Sequence, residues 1–162
     1  MSNAKTIENL NMALKMELSA THQYQMHAHV LEDWGLVGLA EQMREEQAEE
    51  LGHSDLFLER ILALKGKPQI AFQKQPVQVS SLKEMFETDL ADEEEAFAFY
   101  KRAAKDAAVE DDIGTRKLFE QIAMDEEGHK AWLELQLDLL ERLGEALYSA
   151  RFLTSGEAGG GT

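Results

Sequence analysis

Residues 50–53 read Glu-Leu-Gly-His, and residues 126–129 read Glu-Glu-Gly-His. In each stretch Glu and His stand three apart, so on a helix both side chains project from one face. Each is preceded at an equal interval by another acid, Glu17 in the first half and Glu93 in the second. Every member of the set Glu17, Glu50, His53 lies 76 residues before its counterpart in Glu93, Glu126, His129. The same shift pairs Leu14 with Leu90, Tyr24 with Tyr100 and Gly52 with Gly128, while most other positions do not match. An approximate two-fold axis relating two helix pairs would produce this echo.

Working outward, four long helical patterns are readable. The first runs from about Thr6 to Trp34, with Leu10, Leu14, Leu18, Thr21, Ala28 and Leu31 on one stripe, and Gly35 breaks it. The second runs from about Leu36 to Leu64, with Leu39, Met43, Phe57, Ile61 and Leu64 inward, and Gly66 and Pro68 stop it. Ser80 or Ser81 caps a third helix, with Glu84 placed for a capping box. That helix carries Leu82, Phe86, Leu90, Phe97 and Ala104 to about Val109. The acidic turn Glu110-Asp111-Asp112 opens a fourth, which runs to about Leu143 with Phe119, Ile122, Leu133 and Leu140 inward. Gly144 ends it. A short amphipathic piece, Ala146 to Leu153, and a Gly-rich tail from Thr154 complete the chain; the tail is expected to be flexible.

The short turns predict two antiparallel hairpins, and residues 66–79 form the only long connection. About fourteen extended residues at roughly 3.3 Å each reach roughly 45 Å. A helix of about 28 residues is roughly 42 Å long. The connection can therefore traverse the bundle, and the expected fold is an all-α four-helix bundle with one long crossover and a short fifth helix.

Composition narrows the chemistry. The chain has 162 residues, 44% hydrophobic and 29% charged, enough for one domain with a real core. It contains no cysteine, which excludes disulfides, thiolate metal sites, iron–sulfur clusters and cysteine nucleophiles. The net charge of −15 argues against nucleic acid or an anionic membrane face as a partner and suits attraction of cations. No apolar run reaches membrane-spanning length, and the start carries no apolar signal core, so a cytoplasmic location is expected.

One Glu-x-x-His in a Glu-rich helix is usually a solvated accident. Two of them, each matched with an inward acid, are different. Glu17 follows Leu10 and Leu14 at helical spacing, and Glu93 follows Phe86 and Leu90, so both project inward. Four buried carboxylates without partners are very costly unless they take up protons. Two divalent cations would balance them with both imidazoles neutral. The ligand types favour iron or manganese over copper or structural zinc. Six protein groups on two ions leave positions where dioxygen or peroxide could bind.

With these residues in view, the chain resembles bacterioferritins over nearly its full length. The similarity rests on Glu17-Leu18 followed by Gln23-Tyr24, on Trp34-Gly35-Leu36, on Glu59-Arg60-Ile61-Leu62, and on Asp89-Leu90-Ala91. Its most specific element is Asp125-Glu126-Glu127-Gly128-His129 with Trp132-Leu133-Glu134 downstream. The resemblance implies a dinuclear iron ferroxidase centre in which Glu50 and Glu126 bridge, Glu17 and Glu93 are terminal ligands, and His53 and His129 bind one iron each. It implies a hollow shell of 24 subunits storing ferric mineral, with the fifth helix meeting its symmetry mates. It also implies haem bound between two subunits through a Met directly after the second-helix bridging Glu. That position here is Leu51, which has no sulfur. The chain therefore lacks haem, binds it another way, or co-assembles with a haem-binding partner subunit.

Tyr24 and Tyr100 follow Glu17 and Glu93 by seven residues on the same faces. Tyr24 could hold a ligand carboxylate or donate an electron; Tyr100 reads more simply as a buried ring. Glu46 could line an iron path, and Glu49 could face a cavity. His22, His27 and His29 read as structural. The leading expectation is a ferroxidase and iron-storage subunit with O2 or H2O2 as oxidant. The alternative is a di-iron oxidase or peroxide-scavenging enzyme that forms no cage.

Overall fold

A computed structural model of the chain describes residues 3–154. It contains α1 (Ala4–Asp33), α2 (Val37–Ala63), α3 (Leu82–Val109), α4 (Ile113–Leu143) and α5 (Glu145–Ala150), with no strand among the described residues. The four long helices match the sequence expectation to within a few residues at each end. The Gly-rich tail beyond Thr154 lies outside the described residues.

The helices stop for identifiable reasons. After α1, Gly35 adopts φ 80°, and the Leu36 N–H donates to Leu31 C=O at 2.8 Å. The same backbone motif closes α3, with Asp111 at φ 55° and the Asp112 N–H on Ala107 C=O at 2.9 Å. After α2 the left-handed residue is Lys65, at φ 60°, rather than the Gly66 that the sequence suggests. Gly66 answers a different need, because a Cβ there would meet the methyls of Ile61 and Ile7 at 3.0 Å. At the start of α3 the Ser81 hydroxyl accepts from the Glu84 N–H, while the Glu84 carboxylate accepts from the Ser80 N–H and hydroxyl. The capping box is thus present, shared between two serines.

α5 begins one residue earlier and ends three residues earlier than expected. The chain turns after Ala150 so that the Phe152 C=O can accept from the Gly38 N–H at 3.0 Å. A Cβ on Gly38 would come within 2.9 Å of the Thr154 carbonyl, so the close approach requires glycine. Tyr148 on α5 is fully buried, edge-on to Phe86, and donates to Gln136 at 2.7 Å.

α1 packs chiefly on α2, and α3 on α4; the two hairpins then join face to face. The crossover runs the length of α1, and its contacts record the direction. Asn11 bonds the backbone at Lys67 and Gln69, Ser19 bonds the N–H groups of Gln73 and Lys74, and Gln23 bonds Val77. Ascending numbers in the crossover meet ascending numbers in α1, so α3 starts at the opposite end of the bundle from the C-terminus of α2. This is the one-crossover topology that the loop length allows.

Gln23 carries much of this docking. Its amide accepts from the Val77 N–H at 2.9 Å and donates to the Val77 C=O and to His27 Nε2, each at 2.8 Å. His27, fully buried, meets Asp89 through Nδ1 at 3.0 Å. His27 is thus tied to Gln23 on its own helix and to Asp89 on α3. Replacing Gln23 by Leu leaves Val77 and His27 short of partners and should cost about 1–3 kcal/mol. A denaturant melt of Gln23→Leu checks this; an unchanged midpoint would show that the crossover is held elsewhere.

The core has two apolar clusters. One is built on Leu10, Leu14, Phe57, Ile61 and Phe119, the other on Leu31, Leu39, Met43, Phe86 and Leu133. Leu18, Leu64, Leu90, Phe97 and Leu140, expected inward, are only partly buried at the edges of these clusters. Between the clusters lies a layer of buried acids and imidazoles.

Candidate metal centre

Glu17 from α1, Glu50 and His53 from α2, Glu93 from α3, and Glu126 and His129 from α4 are all buried in that layer. They form two donor groups. Glu17, Glu50, His53 and Glu126 make one, and Glu50, Glu93, Glu126 and His129 the other; within each group the ligand atoms all lie within 4.8 Å of one another. Glu50 and Glu126 belong to both. Each imidazole turns Nδ1 inward. His53 Nδ1 is 3.2 Å from Glu50 and 3.1 Å from Glu126; His129 Nδ1 is 3.0 Å from Glu50 and 3.4 Å from Glu126. The two rings lie nearly parallel, 24° apart, with centroids at 6.3 Å.

The donor set fits a pair of cations. Among the described residues, Glu50 Oε1, Glu126 Oε1 and His129 Nδ1 are buried and make no hydrogen bond with workable geometry, despite their closeness. Such atoms, buried in one layer without partners, call for a positive charge. Protons serve in part. Burial, reinforced by the Glu50 charge, pushes the Glu17 carboxyl up to about 8. Burial and the charges of Glu50, Glu93 and Glu17 push Glu126 well above the ordinary carboxylate range. Burial and the Glu93 charge also work against an ionised Glu50, yet its close polar contacts with Glu17, His129 and His53 bring it below its usual value. For His53 and His129 burial disfavours the charged ring, but the surrounding carboxylates outweigh it and raise both.

The outer nitrogens are also occupied. His53 Nε2 is 3.0 Å from Asp125, and His129 Nε2 is 3.0 Å from Glu49 and 3.2 Å from Glu46. Glu46 and Glu49 thus lie beside the centre, as their positions suggest. Asp125 is a residue the sequence reading missed as a contributor to the centre. Its signal was available, since Glu49 and Asp125 are separated by the same 76 residues. Each carboxylate steadies the imidazole of the opposite hairpin, and such partners orient metal-binding histidines.

The tyrosines obey the same symmetry. The Tyr24 hydroxyl donates to Glu93 at 2.6 Å, and the Tyr100 hydroxyl donates to Glu17 at 2.7 Å. The plain reading of Tyr100 as a buried ring is therefore incomplete. A cavity of about 30 Å³, room for a water molecule, lies under residues 73–76 of the crossover and touches both tyrosines and all four core acids. Leu51, by contrast, points away from the centre and is 47% exposed on the outer side of α2.

This arrangement has close parallels. The ferritin-like domain family matches residues 7–143. The bacterioferritin of Rhodobacter capsulatus is 43% identical over 142 residues, 87% of this chain and 88% of that protein. The bacterioferritin of Brucella melitensis is 41% identical over 145 residues, 89% of each. The chain belongs to the bacterioferritin family. Solved structures of family members agree in fold. The Rhodobacter capsulatus bacterioferritin superposes with a TM-score of 0.92 at 38% identity, covering 97% of this chain and 98% of that one. That structure has a metal-free dinuclear site and a haem iron in a crystallographic special position. Mycobacterium tuberculosis bacterioferritin superposes with a TM-score of 0.91 at 34% identity, covering 95% and 97%. As a family member, this chain has a sulfur-free side chain, Leu51, where the resemblance puts the haem ligand, and so does not fit axial ligation there.

Proposed function

We propose that this bacterioferritin-family chain is a ferroxidase and iron-storage subunit, acting in the cytoplasm as part of a 24-subunit cage. The observation that carries the reading is the pair of buried donor groups that share Glu50 and Glu126. These two acids bridge a pair of iron ions. Glu17 and Glu93 are terminal ligands, and His53 and His129 each bind one ion through Nδ1. Tyr24 holds Glu93 in place.

Fe(II) is the substrate. Two ions give up one electron each, and O2 or peroxide takes them; with peroxide, two electrons and two protons convert one H2O2 to two waters. Ferric product then passes to a mineral core. The protein supplies a buried socket: protons held on Glu17, Glu126 and the imidazoles leave as cations arrive. The cavity under the crossover adjoins the four acids and offers room for a small oxidant. No helix among the described residues is long and apolar enough to cross a membrane.

Native mass, measured before and after Fe(II) addition in air, tests the proposal. A particle of roughly 24 subunits retaining many more than two irons per chain is expected. A dimer holding only two per chain would leave a non-cage di-iron oxidase in its place. The absorption spectrum of the same sample reads the haem question: with Leu51 in this position, no Soret band is expected unless a haem-binding partner subunit co-purifies.

A further inference from the structure

Tyr100 sits in a phenyl nest, with ring centroids 5.6 Å from Phe57 and 5.9 Å from both Phe99 and Phe119. It is fully buried. A phenylalanine would fill this space without bringing a polar group into it. The Tyr100 hydroxyl has one hydrogen-bond partner among the described residues, the Glu17 carboxylate at 2.7 Å. Burying a phenol is tolerable only because of that bond. The bond also crosses the bundle, from α3 to α1, and Tyr24 to Glu93 makes the reciprocal crossing from α1 to α3.

We infer that Tyr100 is a positioning residue for the centre, fixing the Glu17 carboxylate for the ion held with His53 as Tyr24 fixes Glu93 for the ion held with His129. The inference rests on the dinuclear reading above. Glu17 reaches the layer on a side chain with three rotatable bonds, and its other close groups, Glu50 and His53, are themselves proposed ligands. Among the described residues, Tyr100 is the one hydrogen-bond partner of the Glu17 carboxylate that can restrain it without competing for the ion. A carboxylate so tethered presents its free oxygen to the ion at lower entropic cost, the general role of outer partners, whose loss typically weakens binding or activity by about 10–100-fold.

Cobalt(II), which is not oxidised under these conditions, is the probe. Its visible ligand-field absorption is titrated into wild-type, Tyr100→Phe and Tyr24→Phe proteins from which iron has been removed. Wild type should take two ions per chain. Tyr100→Phe keeps the ring contacts and should bind one ion as wild type does and the other about 10–100-fold more weakly, with an altered spectrum for the weakened ion. Tyr24→Phe should weaken one ion by a similar factor, and the double variant should weaken both. For Fe(II) oxidation, Tyr100→Phe should raise the half-saturating Fe(II) concentration more than it lowers the maximal rate. Two wild-type-like affinities in Tyr100→Phe would overturn the inference and leave the dinuclear reading intact. Failure of wild type to bind two ions would overturn that reading instead.

Discussion

Glu126→Gln should lose Fe(II) oxidation almost completely while the iron-free protein stays folded. Glu126 belongs to both donor groups, so its loss damages both ions' sites at once. The expected fall in initial rate is more than about 100-fold, beyond what loss of an outer partner causes. Stability should move differently. In the iron-free protein Glu126 holds a proton through burial and the charges of Glu50, Glu93 and Glu17. An amide resembles that protonated acid in shape, so the apparent melting midpoint should stay level or rise, as for other buried charges replaced by neutral isosteres. Stopped-flow oxidation and a thermal melt on one preparation check both halves. A wild-type rate would remove Glu126 from the centre; a collapsed midpoint would make it a structural acid. Glu93→Ala should also slow oxidation strongly, although it leaves Glu50 and Glu126 in place for the ion held with His53.

The iron-free protein should lose thermal stability as pH rises from 5 to 8, and divalent metal should reverse the loss. The sign follows from the protons. Glu17 moves from an ordinary 4.5 to about 8 in the fold, and Asp89, buried against His27, moves from 3.8 to about 6. Both groups keep protons in the folded chain that the unfolded chain has released. Their contribution is complete below their unfolded values and disappears as pH climbs through the folded ones. His53 and His129, also raised, act in the same direction above pH 6.5. Glu50 is lowered and acts oppositely, but its window lies below 4.5.

Metal changes the balance because it takes the place of those protons. A redox-inert ion at a hundredfold excess over its dissociation constant adds about 2.7 kcal/mol per site. Two such sites correspond to roughly 10–20 °C in the midpoint of a chain this size. The gap between metal-free and Mn(II)-loaded midpoints should widen with pH. A metal-free midpoint that is flat or rises between pH 5 and 8 would show that the buried acids do not hold protons as described.

Much of the fold and most of the centre are legible in the sequence. Hydrophobic stripes at helical spacing, Gly35 and the serines near residue 80 mark the helices, because local sterics and capping act within a few residues. The length of residues 66–79 permits the crossover, and in the folded chain the bonds from Asn11, Ser19 and Gln23 show that it lies along α1. Left-handed Lys65 is not readable locally: Gly66 is the residue that favours that conformation, yet the methyls of Ile61 and Ile7 demand glycine one place later. The α5 boundary is likewise decided by a distant partner, the Gly38 N–H.

The six acids and histidines that face the centre were determined by the sequence alone, through the 76-residue echo. Inward direction follows from helix periodicity, and buried like charges need a common counter-charge whatever the fold. Only the tertiary structure decided which groups attend which. Asp125 meets His53, Glu49 meets His129, Tyr24 meets Glu93 and Tyr100 meets Glu17, each across hairpins. Periodicity sets the face a side chain occupies on its own helix. Its partner depends on how two hairpins slide and turn against each other, and that is set by packing of the apolar clusters on either side of the centre.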